Sequence, residues 1–300
     1  MTHVALPEMR RVGYNPGFAA GVIAAGGTLG ILIPPSVMFI LYSILTETDV
    51  AQLFIAGILP GILTIALYCI VVQVVCRWRP EWMPNTTRAS LHERLDSLKP
   101  VWATILLFII VIGGIYGGFV TVTEAASVGV IGALGIGLAR RRLSWSMIVS
   151  ALVESLRTTA AIFFILIAAF LFQYFLAVTQ ASQLVADILT SLPLPPIGII
   201  VVIMIFYILA GMFVDGLAVV LLTIPIFYPV VVGLGFDPIW FGVLIVMTVE
   251  IGLISPPIGM IPFVMNNMVK DIGLWNIFRG VMPFICADAI RLSLVVAFPI

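Results

Sequence analysis

Two Pro-Pro pairs, Pro34-Pro35 and Pro256-Pro257, interrupt long apolar stretches of the sequence. Proline has no backbone N–H and its ring crowds the carbonyl of the preceding turn, so a helix breaks at such a pair. Carbonyls in that turn lose their partners, which costs on the order of several kcal/mol each in hydrocarbon. A dehydrated cation such as Na⁺ can bind these oxygens, and the N-terminus of the following half-helix favours an anion. Ser36 and Ser255 place a hydroxyl beside each break.

Two acidic residues lie in apolar surroundings, where an unpaired charge costs at least about 2.5 kcal/mol. Asp215, in the segment GMFVDG, has no basic residue nearby in sequence, and Glu250 precedes the second Pro-Pro pair. We therefore take Ser36, Asp215 and Glu250 as candidates for substrate binding. The alternatives are a plain polar turn at Asp215 and a partner on another helix for Glu250. Two further acidic residues lie three positions before an arginine and predict structural ion pairs, Glu154 with Arg157 and Asp288 with Arg291.

The residue types that most enzymes use are scarce or misplaced. The two histidines, His3 and His92, lie in the tail and in a polar loop, so a Ser-His dyad within the membrane has no base. No Walker-type phosphate loop occurs, and the three cysteines form no CxxC pair. The formal net charge is zero, so the chain lacks the excess of basic residues that is typical of nucleic-acid-binding proteins. We predict a protein that is not an enzyme, needs no organic cofactor and binds no nucleic acid.

The composition indicates the class of protein. Hydrophobic residues make up 62% of the 300 residues and charged residues only 9%, whereas a soluble domain carries about 25% charged residues. The surface must therefore face lipid, and the length allows roughly ten spans of about 20 residues. Several apolar runs are too short to span alone, which indicates broken or re-entrant helices. We predict an all-α polytopic membrane protein that is embedded in the lipid bilayer.

The basic residues between the apolar runs give the predicted orientation. Three groups are cytoplasmic by the positive-inside rule: the polar stretch 77–100, Arg140-Arg141-Arg142 and Arg10-Arg11. The segment 101–139 must then cross the membrane twice, with a turn at Gly117-Gly118. The runs 197–213 and 217–234 either both cross or form a re-entrant hairpin whose turn, at Asp215, lies near the midplane.

A shift of 222 residues aligns two stretches of the chain without a gap. The matched positions are Pro7, Gly13, Pro16, Ile23, Gly30, Pro34, Pro35 and Met38 with Pro229, Gly235, Pro238, Ile245, Gly252, Pro256, Pro257 and Met260. In the predicted orientation the first copy crosses outward and the second inward, so the repeat is inverted. Such a pair of Gly/Pro-interrupted segments is the best sequence indicator of a transporter binding site. The alternative is a gene duplication with structural kinks only.

The repeat also gives the predicted domain organisation. The segments are the end of the first repeat at 1–76, with a broken helix at 13–46 and the span that follows, a cytoplasmic loop at 77–100, connecting helices at 101–178, and a second repeat at 197–300, with hairpin 197–234, broken helix 238–269 and a last span. The predicted fold is thus an inverted-repeat transporter with Pro-Pro-broken helices and a re-entrant hairpin.

Four separated motifs carry a resemblance to a known family. They are GGTLGILIPPS at Gly26–Ser36, GGFVTVTEAA at Gly117–Ala126, GMFVDG at Gly211–Gly216 and EIGLISPPIG at Glu250–Gly259. Over nearly all of its length, the chain resembles the large membrane subunit of tripartite ATP-independent periplasmic transporters. The resemblance implies an elevator-type secondary transporter of the bacterial inner membrane, driven by a sodium gradient.

Carried over residue by residue, the resemblance implies two sodium sites and no other metal. Main-chain oxygens of Gly30, Ile33 and Pro35 would form the first site, and Gly211, Gly252, Ser255 and Ile258 the second. The resemblance also implies two partners, a small four-helix membrane subunit and a periplasmic solute-binding protein. The binding protein would deliver the substrate, an organic anion and usually a carboxylate.

The chain departs from the family pattern in two places. The pattern begins with further helices and a hairpin whose serine-rich tip completes the first sodium site, whereas here only the end of that hairpin is predicted, around Ala5–Met9. We therefore expect a chain without its N-terminal part and an incomplete first site. Ile261 stands where many relatives carry Asn, which weakens inference of the substrate. The alternatives to a transporter subunit are a stand-alone sodium–carboxylate symporter and a non-functional truncated fragment.

Overall fold

The computed structural model describes residues 2–84, 90, 92, 101–141 and 143–298, and these residues form helices and no strand. In chain order the helices are α1 (Thr2–Val12), α2 (Pro16–Leu32), α3 (Val37–Thr46), α4 (Val50–Trp78), α5 (Trp102–Tyr116), α6 (Val122–Ala139), α7 (Trp145–Thr179), α8 (Ala181–Ser191), α9 (Pro196–Phe213), α10 (Gly216–Gly233), α11 (Pro238–Ile254), α12 (Met260–Met268) and α13 (Leu274–Ala297). Seven helical segments of the described chain are long and apolar enough to cross a membrane. The protein is all-α and polytopic, as predicted.

Contacts divide the chain into two compact units, Met1–Thr86 with Ala169–Ile300 and Thr87–Ala168. In the second unit α5 and α6 pack against each other, and the predicted turn separates them. Glu124 and Thr121 start α6 with a capping box, in which each side chain accepts the backbone N–H of the other residue. Arg142 and residues 85–89, 91 and 93–100 of the predicted cytoplasmic loop lie outside the described residues.

The sequence repeat is reproduced in the helices of the first unit. The broken helices α2 and α11 are each 17 residues long, and they begin 222 residues apart. Their first turns are capped by Asn15 and Asp237, whose side chains accept backbone N–H groups. The turns that precede them contain Gly13 and Gly235 with φ of 101° and 84°, a conformation that glycine adopts at no steric cost. Equivalent residues thus form equivalent structure in both copies.

The two copies run in opposite directions along α13. The first turn of α2 contacts the first turn of α13, where a Cβ on Gly17 would lie 2.7 Å from the Asn276 carbonyl oxygen. The first turn of α11 instead contacts the end of α13, where the Trp240 indole N–H donates to the Val295 carbonyl at 3.0 Å. The predicted inversion of the repeat is therefore confirmed.

Helices α9 and α10 form the predicted hairpin, and its turn lies beside the first break. A Cβ on Gly216 would contact Met38 at 3.2 Å, just after that break. Helix α2 rises about 25 Å over its 17 residues before the break begins. The hairpin turn therefore lies deep along α2 and far from its first turn, which is predicted to be cytoplasmic, and this supports a re-entrant hairpin rather than two full crossings.

Helix α8 is a feature that the sequence analysis did not predict. Its polar residues interrupt the apolar ones, so no continuous apolar run marks it. It packs against α10, and the Ser182 hydroxyl donates to the Pro225 carbonyl at 3.2 Å. This carbonyl lies in the hairpin, so α8 supports the second arm of the hairpin from one side.

Gly21 of α2 faces Gly280 of α13, where a Cβ on Gly21 would lie 2.3 Å from the Gly280 backbone. Because neither backbone can give way, we predict that Gly21→Ala lowers the free energy of unfolding by about 1–3 kcal/mol. Gly26→Ala on the same helix is the control, since its Cβ would meet nothing within 4 Å. Thermal unfolding of both purified variants in detergent measures the difference. Equal unfolding temperatures would contradict the packing role.

Candidate functional site

A cavity of about 300 Å³ lies where the first break meets the turn of the hairpin. Gly30 and Pro35 line it from the break, and Asp215 lines it from the turn. Ser36 also lines the cavity, although its side chain is almost fully buried. The structure thus brings together two predicted ligands of the first sodium site and two of the three substrate-binding candidates.

The backbone at the first break has carbonyls without helical partners. The last helical bond of α2 is donated by the Ile33 N–H, at 2.8 Å. The Gly30 carbonyl would pair with residue 34, which is proline and has no N–H. The Ile31 carbonyl accepts the Ser36 hydroxyl instead. A free carbonyl therefore lies at the cavity, whereas Ile33, the third predicted ligand, is not among the described residues that line it.

The second break is packed tightly against α9. A Cβ on Gly252 would lie 2.9 Å from the Gly211 Cα, so these two residues of the predicted second sodium site are in contact. Ser255 is buried, and its hydroxyl donates to the Ile251 carbonyl at 2.7 Å, which leaves the hydroxyl lone pairs for a cation. Ile258 follows the Pro-Pro pair and is exposed. Neutral carbonyl and hydroxyl oxygens of this kind fit Na⁺.

The two helix N-termini at the cavity differ in how they are capped. Ser36 precedes α3 and makes no side-chain cap bond, which leaves the first N–H groups of α3 for a ligand. Asp215 precedes α10, and one of its carboxylate oxygens accepts the N–H groups of Leu217 and Ala218 at 3.0 and 3.3 Å. Asp215 is therefore a helix cap that also lines the cavity, and α3 offers the open N-terminus.

Glu250, the third substrate-binding candidate, lies outside this cavity. It is fully buried, and its carboxylate accepts a hydrogen bond from the Arg291 guanidinium at 2.9 Å. An ionised carboxylate inside the membrane needs such a cation. The structure therefore supports the alternative given for Glu250, an ion pair with a residue on another helix, over substrate binding.

Arg291 is the centre of a buried polar cluster, the Arg291 cluster, which comprises Thr64 and Tyr68 of α4, Glu250 of α11, and Asp288 with Arg291 itself on α13. One guanidinium nitrogen donates to the Thr64 hydroxyl at 2.6 Å, and the other lies 3.2 Å from Asp288 Oδ1. The Tyr68 hydroxyl donates to Asp288 Oδ2 at 2.8 Å. All three charged side chains are fully buried. The hydrogen bonds of the cluster connect α4, α11 and α13.

Only part of the Arg291 cluster could be predicted from the sequence. The predicted pair of Asp288 and Arg291 is confirmed. Glu154 and Arg157, both in the described part of the chain, are exposed and make no ion pair. The two polar side chains of α4 were missed. The available signal was Arg291 itself, because a guanidinium inside an apolar run needs several partners.

Comparison with known proteins places the chain in a family. Residues 1–300 match the family described as "Tripartite ATP-independent periplasmic transporter, DctM component". The chain is 37% identical over 297 residues to the C4-dicarboxylate TRAP transporter large permease protein DctM of Pseudomonas aeruginosa, covering 99% of this chain and 69% of that protein. It is 32% identical over 295 residues to the sialic acid TRAP transporter large permease protein SiaM of Vibrio cholerae, covering 98% and 68%. It is 31% identical over 297 residues to the ectoine TRAP transporter large permease protein TeaC of Halomonas elongata, covering 98% and 68%.

We predict that Arg291→Met lowers the free energy of unfolding by about 3–5 kcal/mol, because it leaves Glu250 and Asp288 buried without a cation. A triple variant that also carries Glu250→Gln and Asp288→Asn removes all three charges and is expected to recover most of the loss. Thermal unfolding in detergent compares the two proteins. A triple variant no more stable than Arg291→Met would assign the loss to packing instead of charge.

Proposed function

The chain belongs to the DctM component family of tripartite ATP-independent periplasmic transporters, and we propose that it imports organic anions together with sodium. Membership of this family makes it a multi-pass transport protein of the bacterial inner membrane and not an enzyme. The observation that carries the sodium proposal is the pair of inverted, Pro-Pro-broken helices. Their freed carbonyls offer neutral oxygens at two places inside the protein, where a dehydrated cation can bind.

The anion is proposed to bind in the cavity at the first break. A volume of about 300 Å³ is at the small end of the range of ligand pockets, which suits a small organic acid. The open N-terminus of α3 attracts negative charge, and the Ser36 hydroxyl lies beside it. Two of the relatives are named for C4-dicarboxylate and sialic acid. These names support a carboxylate as the substrate class.

The transport mechanism is proposed to be of the elevator type. The broken helices and the hairpin would carry the anion and the ions as one body between the two faces of the membrane. The family description calls the transporter tripartite and periplasmic, which supports two partners, proposed to be a periplasmic solute-binding protein and a small four-helix membrane subunit. A stand-alone sodium–carboxylate symporter is the alternative.

Uptake by proteoliposomes tests the proposed function. Import of a radiolabelled dicarboxylate is expected to require both an inward sodium gradient and the binding protein. Uptake that proceeds equally with a potassium gradient would reject sodium coupling. Uptake without any binding protein would instead establish the stand-alone symporter.

We predict that Ser255→Ala raises the sodium concentration for half-maximal uptake roughly three- to tenfold, because it removes one oxygen ligand worth about 1 kcal/mol. Ser293→Ala is the matched control. The Ser293 hydroxyl donates to the carbonyl four residues earlier at 2.8 Å, as that of Ser255 does at 2.7 Å, but it lies on an exposed face of α13. An unchanged sodium activation curve for Ser255→Ala rejects the second sodium site.

Two substitutions separate the capping role of Asp215 from a role in substrate binding. Asp215→Ala removes the cap and is expected to lower the free energy of unfolding by about 1 kcal/mol. Asp215→Asn keeps the cap acceptor and removes only the charge. We predict that Asp215→Asn leaves the unfolding temperature unchanged and lowers the substrate concentration for half-maximal uptake, because it removes a negative charge that repels the anion from the cavity. If uptake by Asp215→Asn equals that of the wild type, Asp215 acts only as a helix cap and has no role in substrate binding.

A further inference from the structure

A second cavity, of about 600 Å³, lies where turns that are predicted to be cytoplasmic meet. Its walls come from the start of α2, the residues that follow α4 and the start of α13. The Asn15 N–H donates to the Trp82 carbonyl at 2.9 Å and joins two of these walls. We call this space the basic cavity, and its lining includes Asn15, Phe18, Arg79, Trp82, Asn276 and Arg279. The proposed function makes no use of it.

Among the described residues that line the basic cavity, positive charge exceeds negative charge. Its acidic lining residue, Asp271, accepts a hydrogen bond from Arg10 at 2.7 Å, and this bond lowers the pKa of the Asp271 carboxyl. The charge of Asp271 is therefore balanced by Arg10 at neutral pH. Arg79 makes a longer contact of 3.5 Å with Glu81, and both side chains are exposed. Arg279 makes no ion pair with any described residue. The free charge favours an anionic ligand.

The Arg79 guanidinium is held at the cavity by an aromatic side chain. It lies 5.7 Å from the centroid of the Trp82 ring, and that ring lies 5.8 Å from the ring of Phe18. Stacking on an aromatic face holds a guanidinium in place, and its two N–H edges then remain available for bidentate binding of a phosphate. Arg279 lines the same cavity from α13, so the cavity offers two guanidinium groups to an anion.

Residues adjacent in sequence to the lining of the basic cavity include exposed apolar side chains. Trp78, the last residue of α4, and Trp275, on α13, directly precede the lining residues Arg79 and Asn276, and they are 81% and 70% exposed. Met282, which lines the cavity, is also exposed. Exposed tryptophan is typical of the level of the lipid headgroups. A ligand there meets positive charge at one end and apolar side chains at the other, a combination that fits a phospholipid better than a soluble anion.

We propose that the basic cavity binds the headgroup of an anionic phospholipid from the cytoplasmic leaflet, with its phosphate on Arg79 and Arg279. The acyl chains lie along Trp78 and Trp275. Basic pockets between membrane helices on the cytoplasmic side suit such lipids. The bound lipid joins the start of α2 to the start of α13, one helix from each copy of the repeat. This site is independent of sodium coupling.

Lipid binding by the complete purified protein tests this site. The proteins are the wild type, the double variant Arg79→Gln/Arg279→Gln and the control Arg77→Gln, whose exposed side chain lies on α4 outside the cavity lining. Phosphatidylglycerol or phosphatidylcholine is added in detergent, and native mass spectrometry and thermal unfolding measure binding. Phosphatidylglycerol is expected to stabilise the wild type and Arg77→Gln and to bind the double variant at least tenfold more weakly. Raised salt is expected to weaken this binding.

Equal binding of phosphatidylglycerol by all three proteins would overturn the proposal, and so would an equal affinity of the wild type for phosphatidylcholine. Glycerol phosphate carries the same phosphate without acyl chains. Displacement of the lipid by glycerol phosphate at similar concentrations would make this a site for a soluble anion. If the double variant does not fold, the single variants Arg79→Gln and Arg279→Gln give the same comparison.

Discussion

Every polar group that enters hydrocarbon must find a partner, and the Arg291 cluster is where this constraint joins the two copies of the repeat. Arg291 links Glu250 on α11 to Thr64 on α4. Helix α4 belongs to the first copy, whereas α11 and α13 belong to the second. Two carboxylates share one guanidinium, so a shift of α11 against α13 would leave Glu250 buried without a cation, and a shift of α4 would remove the neutral partners Thr64 and Tyr68.

The two copies of the repeat also pack against each other through their helices. Helix α2 packs on α13, the last helix of the second copy, and α11 packs on α4, the last helix of the first. Each broken helix is thus held by an unbroken helix of the other copy. The contact between α2 and α13 passes through Gly21 and Gly280, and within the second copy α9 meets α11 in the same way at Gly211 and Gly252. Membrane helices associate by such close backbone contact because lipid supplies no hydrophobic driving force.

The breaks and the repeat could be predicted from the sequence because they depend on local chemistry. A Pro-Pro pair ends a helix whatever surrounds it, and a constant offset of 222 residues reveals a duplication. The partners of Arg291 could not be predicted in the same way. Its bond to Thr64 spans 227 residues, and uniformly apolar runs contain no signal for which helix faces meet. For the same reason Glu250 looked like a free charge beside the second break.

The two breaks match in sequence, but their serines do not. The serine of the first break follows its Pro-Pro pair, and the serine of the second break precedes its pair. Ser36 follows the first pair and aligns with Ile258, whereas Ser255 precedes the second pair and aligns with Ile33. A hydroxyl after the break lies at the open N-terminus of a half-helix, where an anion is favoured. A hydroxyl before the break lies among freed carbonyls, where a cation is favoured. In the proposed function both breaks offer carbonyl oxygens to sodium, and the displaced serine adds a site for the anion at the first break only. Coupling needs both ligands, so the difference between the copies matters as much as their symmetry.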